Sequence, residues 1–244
     1  MTYCVGILLK RGLVFAADTR TNAGFDNIST FKKLHVWERP GDRVICLLSA
    51  GNLAVTQTVV SLLTEEAARK PKRGQETLFS APTLFQAARV VGKAIRDVKD
   101  TDGEALNKSG EAFSVSFILG GQIGEERPRL FQIYTAGNFI EASDDTPFFQ
   151  IGEHKYGKPI LDRVADSDMR LGEAAKMVLL SFDSTLRSNL SVGMPIDLML
   201  YNSDTLKVER ERRVEQDDPY FRKLSEDWSK ALRGAFGTIE EFDI

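Results

Sequence analysis

Threonine follows the initiator methionine directly, and the chain goes on to Asp18 in an Ala-Ala-Asp-Thr-Arg stretch and then to Lys32-Lys33. A free α-amino group titrates near about 7.7 to 8.0, close to working pH. Removal of Met1 would therefore leave Thr2 carrying a nucleophile, its hydroxyl, beside a base, its own amine. A cation close to that amine would lower its pKa and keep more of it neutral. Lys33 is the candidate cation, and Asp18 is the carboxylate that would hold it.

Such groups need elements to position them. Thr2 to Leu9 and Leu13 to Ala17 are apolar, β-favouring runs separated by Lys10-Arg11-Gly12, the pattern of a hairpin whose second strand ends at Asp18. His35-Val36-Trp37 and Val44 to Leu48 predict a further strand pair around Arg39-Pro40-Gly41-Asp42. Ser49-Ala50-Gly51-Asn52 then opens a helical pattern. A glycine at such a junction has a backbone N–H free for a ligand, because the first N–H groups of a helix have no internal partner.

In this order, Thr2, Asp18-Thr-Arg20, Lys33-Leu34 and Ser49-Ala50-Gly51, the chain resembles the β-subunits of the proteasome, from Thr2 to about Tyr201. Ser29-Thr-Phe-Lys-Lys33, Glu38 to Asp42 and Leu48 to Ala54 are similar to the bacterial Anbu (ancestral β-subunit) branch. The resemblance implies an α+β fold, a four-layer αββα sandwich of the amino-terminal-nucleophile hydrolase type. It makes Thr2 the nucleophile, Asp18 and Lys33 the groups that tune its amine, and Gly51 the oxyanion donor. It matches Ser191 to a serine supporting the terminal amine. Ser188 replaces an aspartate of the same run, and Glu153 stands where the family has another amine-supporting serine. Thr21 and Asn22 match positions that bind substrate backbone as an added strand; Phe31, His35, Ser49 and Leu53 match the first specificity pocket. The loop after Asp18 is one residue shorter than in typical proteasome subunits, which leaves Lys32 as an alternative. Lys33 is preferred because it directly precedes apolar Leu34. The family also implies a homo-oligomeric ring or open spiral.

Downstream, Ala81 to Val98 predicts a helix, Asp100 to Gly110 a polar loop, Phe113 to Gly120, Arg129 to Ala136 and Phe139-Ile140 strands, and Gly121 to Arg127 a turn. Tyr156 to Val164 and Gly172 to Leu190 read as helices, and Ile196 to Tyr201 pairs with Leu206 to Val214. Tyr220-Phe221, Leu224, Trp228, Leu232 and Phe236 predict an amphipathic C-terminal helix around 217–236. Without a linker or repeat, residues 1–244 read as a single domain.

Composition narrows the function. Thirty-two Lys plus Arg against 35 Asp plus Glu give a net charge of −3, which argues against a nucleic-acid partner. The first apolar run is short and lacks a basic leader, and nothing approaches the roughly 20 apolar residues of a membrane span, so a cytoplasmic location is expected. Two histidines without a Gly-x-Ser-x-Gly elbow exclude the serine-hydrolase pattern, and Gly120 to Gly124 lacks the Gly-Lys-Ser/Thr ending of a phosphate loop. Cys4 and Cys46 in apolar runs read as core thiols; no metal or cofactor is called for. The reading is a threonine endopeptidase acting on peptide or protein substrate, with any ATP-driven partner unassigned. A hydrolase of non-protein amides or isopeptides, or a silent structural ring subunit, are the alternatives.

Overall fold

The computed structural model describes residues 1–22, 28–69 and 75–243. One five-stranded antiparallel sheet runs β10 (Phe148–Gly152), β1 (Tyr3–Leu9), β2 (Gly12–Asp18), β11 (Ile196–Asn202), β12 (Arg210–Val214). A second runs in sequence order through β5 (Leu34–Arg39), β6 (Arg43–Gly51), β7 (Val115–Ile123), β8 (Arg129–Ile133) and β9 (Phe139–Glu141). The short strands β3 (Arg20–Asn22) and β4 (Ile28–Thr30) pair with each other.

Period-two alternation sorts the side chains into separate cores. From β1 and β2, Tyr3, Val5, Ile7, Val14 and Ala16 join Ala174, Val178 and Phe182 of α4 (Leu171–Ser188). The intervening Cys4, Leu13, Phe15 and Ala17 face Leu34, Cys46, Leu48 and Ile118 of the other sheet. On that sheet's far side Ile45, Leu47, Phe117 and Leu119 meet α1 (Leu53–Ala68) and α2 (Leu84–Lys108). Strands covered on both faces carry unbroken apolar runs, which is why β1 and β2 do not alternate in polarity.

Several boundaries differ from the sequence reading. The segment Asp100–Gly110, expected as a loop, continues α2 to Lys108. Its polar side chains face solvent, with a Glu104–Lys108 ion pair, while Gly103 is buried and Leu106 packs on the core. Strand β7 runs on to Ile123 where a turn was expected from Gly121, because β6 is long enough to pair with it throughout. Strand β10 was not read as a strand, and the polar loop before Lys33 contains β3 and β4.

The tail forms α5 (Pro219–Thr238), capped by Asp218 Oδ1, which accepts Phe221 N–H at 3.0 Å. Phe221 and Leu224 pack on the α4 side, and Arg187 donates to Ser225 Oγ at 2.7 Å, whereas Leu232 and Phe236 are exposed. Among the described residues, no helix is long and apolar enough to cross a membrane.

Gly92 lies inside α2, where alanine is ordinarily preferred by about 1 kcal/mol. A Cβ at Gly92 would stand 2.2 Å from Gly137 O in the turn after β8. Gly92→Ala is therefore expected to lower stability by about 1 to 3 kcal/mol, against helix propensity. Thermal unfolding checks the sign.

Candidate active site

Asp18 closes β2 with its carboxylate fully buried. Oδ1 accepts Lys33 Nζ at 2.7 Å and Tyr3 N–H at 3.0 Å, and Oδ2 accepts Gly193 N–H at 3.3 Å. Lys33, only 4% exposed, also donates to Arg20 O at 2.7 Å. Burial pushes the Asp18 carboxyl up from its ordinary range, and Lys33, Tyr3 N–H and Gly193 N–H pull against it. Each of these contacts is to a donor, as a carboxylate requires. Lys32 is exposed and lies elsewhere, beside Leu34, Asp197 and Glu211.

Thr2 is half-buried at the start of β1. Its carbonyl accepts Glu153 N–H at 2.6 Å. Gly152, the register partner of Tyr3, has φ +82°, and a Cβ there would fall 2.0 Å from Thr2 O, so only glycine lets β10 close on the threonine.

Gly51 ends β6. Asn52 N–H donates to Ser114 O at 2.8 Å across the β7 edge, whereas Ser49 N–H donates to Lys33 O at 3.0 Å across the β5 edge. N–H groups two residues apart on a strand share an edge, so Gly51 N–H points to the Lys33 side, past the start of β5. Its φ of +115° and a Cβ-to-Ser114 O distance of 2.2 Å exclude a side chain there. Asn52 caps α1, its Oδ1 accepting Val55 N–H at 3.3 Å.

A cavity of about 620 Å³ joins these groups, lined by Thr2, Thr21, Lys33, Ser49, Gly51 and Leu53 among others. Thr2, Lys33 and Gly51 thus converge, as do three of the expected substrate positions. Phe31 and His35 are half-buried outside that lining; Phe31 N–H donates to Thr19 O at 2.8 Å. Asn22 lies on β3, and its side chain is outside the described residues. Ser188 is exposed at the end of α4. Ser191 is half-buried, its N–H donating to Asn189 Oδ1 at 2.9 Å.

Sequence reasoning missed the polar partner in this run. Asn189, not Ser188, turns inward, and its Nδ2 donates to Glu153 Oε2 at 2.8 Å. Gly193 was also missed: it lends its N–H to Asp18 and lies flat under Arg20, where a Cβ would sit 2.1 Å from Nε. The available signal was their place in the same run, Arg187 to Gly193, as Ser188 and Ser191. Behind the site the buried Cys4 Sγ contacts Ser49 O at 3.6 Å, and burial pushes its thiol pKa up, keeping it unreactive.

A residue-two threonine facing a buried lysine–aspartate pair, carried by two packed antiparallel sheets, defines the amino-terminal-nucleophile type of fold. Residues 2–199 match the proteasome subunit family, and the chain belongs to that family. It is similar to Anbu from Hyphomicrobium sp. strain MC1, at 65% identity and TM-score 0.93, over 99% of this chain and 100% of that one. Anbu (ancestral beta-subunit) from Yersinia bercovieri is 45% identical, with TM-score 0.91 and 99% of both chains covered. A structure described as the helical assembly of the Anbu complex from Pseudomonas aeruginosa is 44% identical, with TM-score 0.92, over 99% and 98% of the two chains. Proteasome subunit beta 2 of Pyrobaculum calidifontis is 26% identical over 206 residues, 84% of this chain and 91% of that protein.

Lys33→Met leaves Asp18 buried without its cation, and an expected loss of about 3 to 5 kcal/mol would be read by denaturant unfolding. His35 is held down to about 4 by burial first and by the Lys32 charge second, against Asp197. Between pH 4 and 6.5 the folded state then binds fewer protons than the unfolded chain. This contribution is complete above the unfolded value and is lost as pH falls toward 4, on the order of 3 kcal/mol in all. A His35→Gln variant should show a correspondingly shallower loss of stability across that window.

Proposed function

We propose that this chain is a threonine endopeptidase subunit with a four-layer αββα architecture, whose nucleophile is Thr2 after removal of Met1. The observation that carries the reading is the buried Lys33–Asp18 pair opening onto the cavity that also holds Thr2 and Gly51. In the reaction, the Thr2 amine takes the hydroxyl proton while Oγ attacks a peptide carbonyl. Gly51 N–H receives the developing oxyanion, an interaction worth about 2.7 to 4 kcal/mol in other hydrolases. The amine returns its proton to the leaving nitrogen, and water, activated by the same amine, releases the ester. Lys33, fixed by Asp18 and Arg20 O, lowers the amine's pKa, and Ser191 helps to position it; Ser188, exposed at the end of α4, is not assigned that role.

Substrate adds as a strand beside Thr21 and Asn22, with Ser49 and Leu53, together with Phe31 and His35, setting the first specificity pocket. The chain acts as a homo-oligomer, a ring or open spiral, in keeping with the helical assembly of its Pseudomonas aeruginosa relative. A cytoplasmic location supplies the aminopeptidase that exposes Thr2. Residues 1–244 serve as one hydrolase domain with α5 as its last element.

Intact mass of the purified assembly is expected to lack one methionine. Peptide-library cleavage by that assembly should fall more than about a thousandfold in Thr2→Ala. Retained Met1, or turnover of small amides alone, would remove the peptidase reading.

A further inference from the structure

Glu153 is a carboxylate whose surroundings in the Met1-bearing chain are incomplete. The residue is 7% exposed, and both its carboxylate oxygens are occupied by neutral donors: Oε1 by Lys155 N–H at 2.8 Å and Oε2 by Asn189 Nδ2 at 2.8 Å. Among the described residues no lysine or arginine reaches it as an ion-pair partner. Shielded carboxylates are ordinarily paired with a cation. Burial would raise its pKa, yet the Lys155 and His154 N–H groups, the Asn189 amide and the Lys155 charge hold it below the usual carboxylate range, so it is an anion at neutral pH.

Its position shows which cation is missing. The Glu153 backbone is tied directly to Thr2, N–H to carbonyl at 2.6 Å, and the same Asn189 Nδ2 that holds its carboxylate lies 3.9 Å from Met1 Sδ. The carboxylate and its amide clamp therefore border the side chain that methionine removal takes away. That cleavage creates one new cation in this corner, the Thr2 ammonium. Resting on the amino-terminal-threonine reading, we propose that Glu153, oriented by Asn189, is a positioning residue that pairs with the freed Thr2 amine and counterbalances Lys33 in setting its proton affinity.

The other charged and titratable groups around the amine are accounted for. Asp18 is consumed by Lys33, Tyr3 N–H and Gly193 N–H. The Tyr3 phenol, its pKa pushed up by burial, is turned toward Ser181 and Gln150. The Cys4 thiol contacts Ser49 O, Arg20 reaches Leu190 O, and His154 and Lys155 are exposed. Glu111, across the cavity, accepts from Asn52 Nδ2 at 3.1 Å. Lys33 favours the neutral amine and Glu153 the ammonium, so the two act with opposite sign.

The test uses the assembled, Met1-processed protein and the Glu153→Gln, Glu153→Asp and Asn189→Ala variants. The Thr2 amine pKa is read from the pH dependence of its acylation by acetic anhydride, mapped to the terminal peptide, and independently from the acid limb of kcat/KM. Glu153→Gln is expected to lower both by about one unit and Asn189→Ala by less, with Glu153→Asp restoring most of the shift. An amine pKa within about 0.2 units of wild type in correctly processed Glu153→Gln overturns the assignment, whatever the activity. Because acylation proceeds without turnover, a protein that cleaves no peptide still reveals whether Glu153 shifts the amine, and the peptidase reading fails separately.

Discussion

The buried ion pair between Asp18 and Lys33 ties together segments far apart in sequence. Removing two charges from water is costly, and Coulomb attraction offsets it only where the remaining donors and acceptors are also satisfied. Here the carboxylate takes N–H groups from Tyr3 on β1 and Gly193 after α4, and the ammonium takes the carbonyl of Arg20 on β3. Five stretches of chain must be in register before the pair is stable. The two residues proposed to tune the Thr2 amine are thus also ones on which the local fold depends.

Around that pair the backbone is shaped by absence of side chains. Gly51, Gly152 and Gly193 each bring a main chain to within van der Waals contact of a neighbour, namely Ser114, Thr2 and the Arg20 guanidinium. At Gly51 the result is an N–H directed past the start of β5, and at Gly152 a strand edge pressed against the threonine. Rigid strands hold these groups, and rigidity suits a site whose donors must be in place before charge develops.

Helical faces complete the arrangement without touching the chemistry. Helices α1 and α2 cover one sheet and α4 the other, and the Asn52 cap couples the start of α1 to the cavity wall. Asn189, where α4 ends, reaches Glu153, so the end of a structural helix enters the site through a single amide. Helix α5 contributes only its first turns to packing, leaving Leu232 and Phe236 in solvent.

The hairpin, the strand pair after it, the first helix and the tail helix were legible in the sequence because apolar runs, turn residues and helical periodicity are all local signals. The order of Thr2, Asp18, Lys33 and Gly51 along the chain also pointed to groups that the fold brings together, Lys33 onto Asp18 and Thr2, Lys33 and Gly51 around one cavity. The length of α2 was not legible, since Asp100 to Lys108 is mostly polar and carries a glycine, and the contacts that continue the helix, Leu106 on the core and buried Gly103, are tertiary. Nor was β10, whose pairing with β1 is a contact across more than a hundred residues. The choice of Lys33 over Lys32 was argued from an adjacent leucine; burial against Asp18 is what separates them in space. Sequence by itself determined which groups could react and which local elements would form, because propensity and side-chain chemistry are properties of neighbours along the chain. Only the tertiary structure decided that Asn189 rather than Ser188 turns inward, that its amide clamps the Glu153 carboxylate, and that Gly193 serves Asp18, because those contacts join residues whose separation no local pattern records.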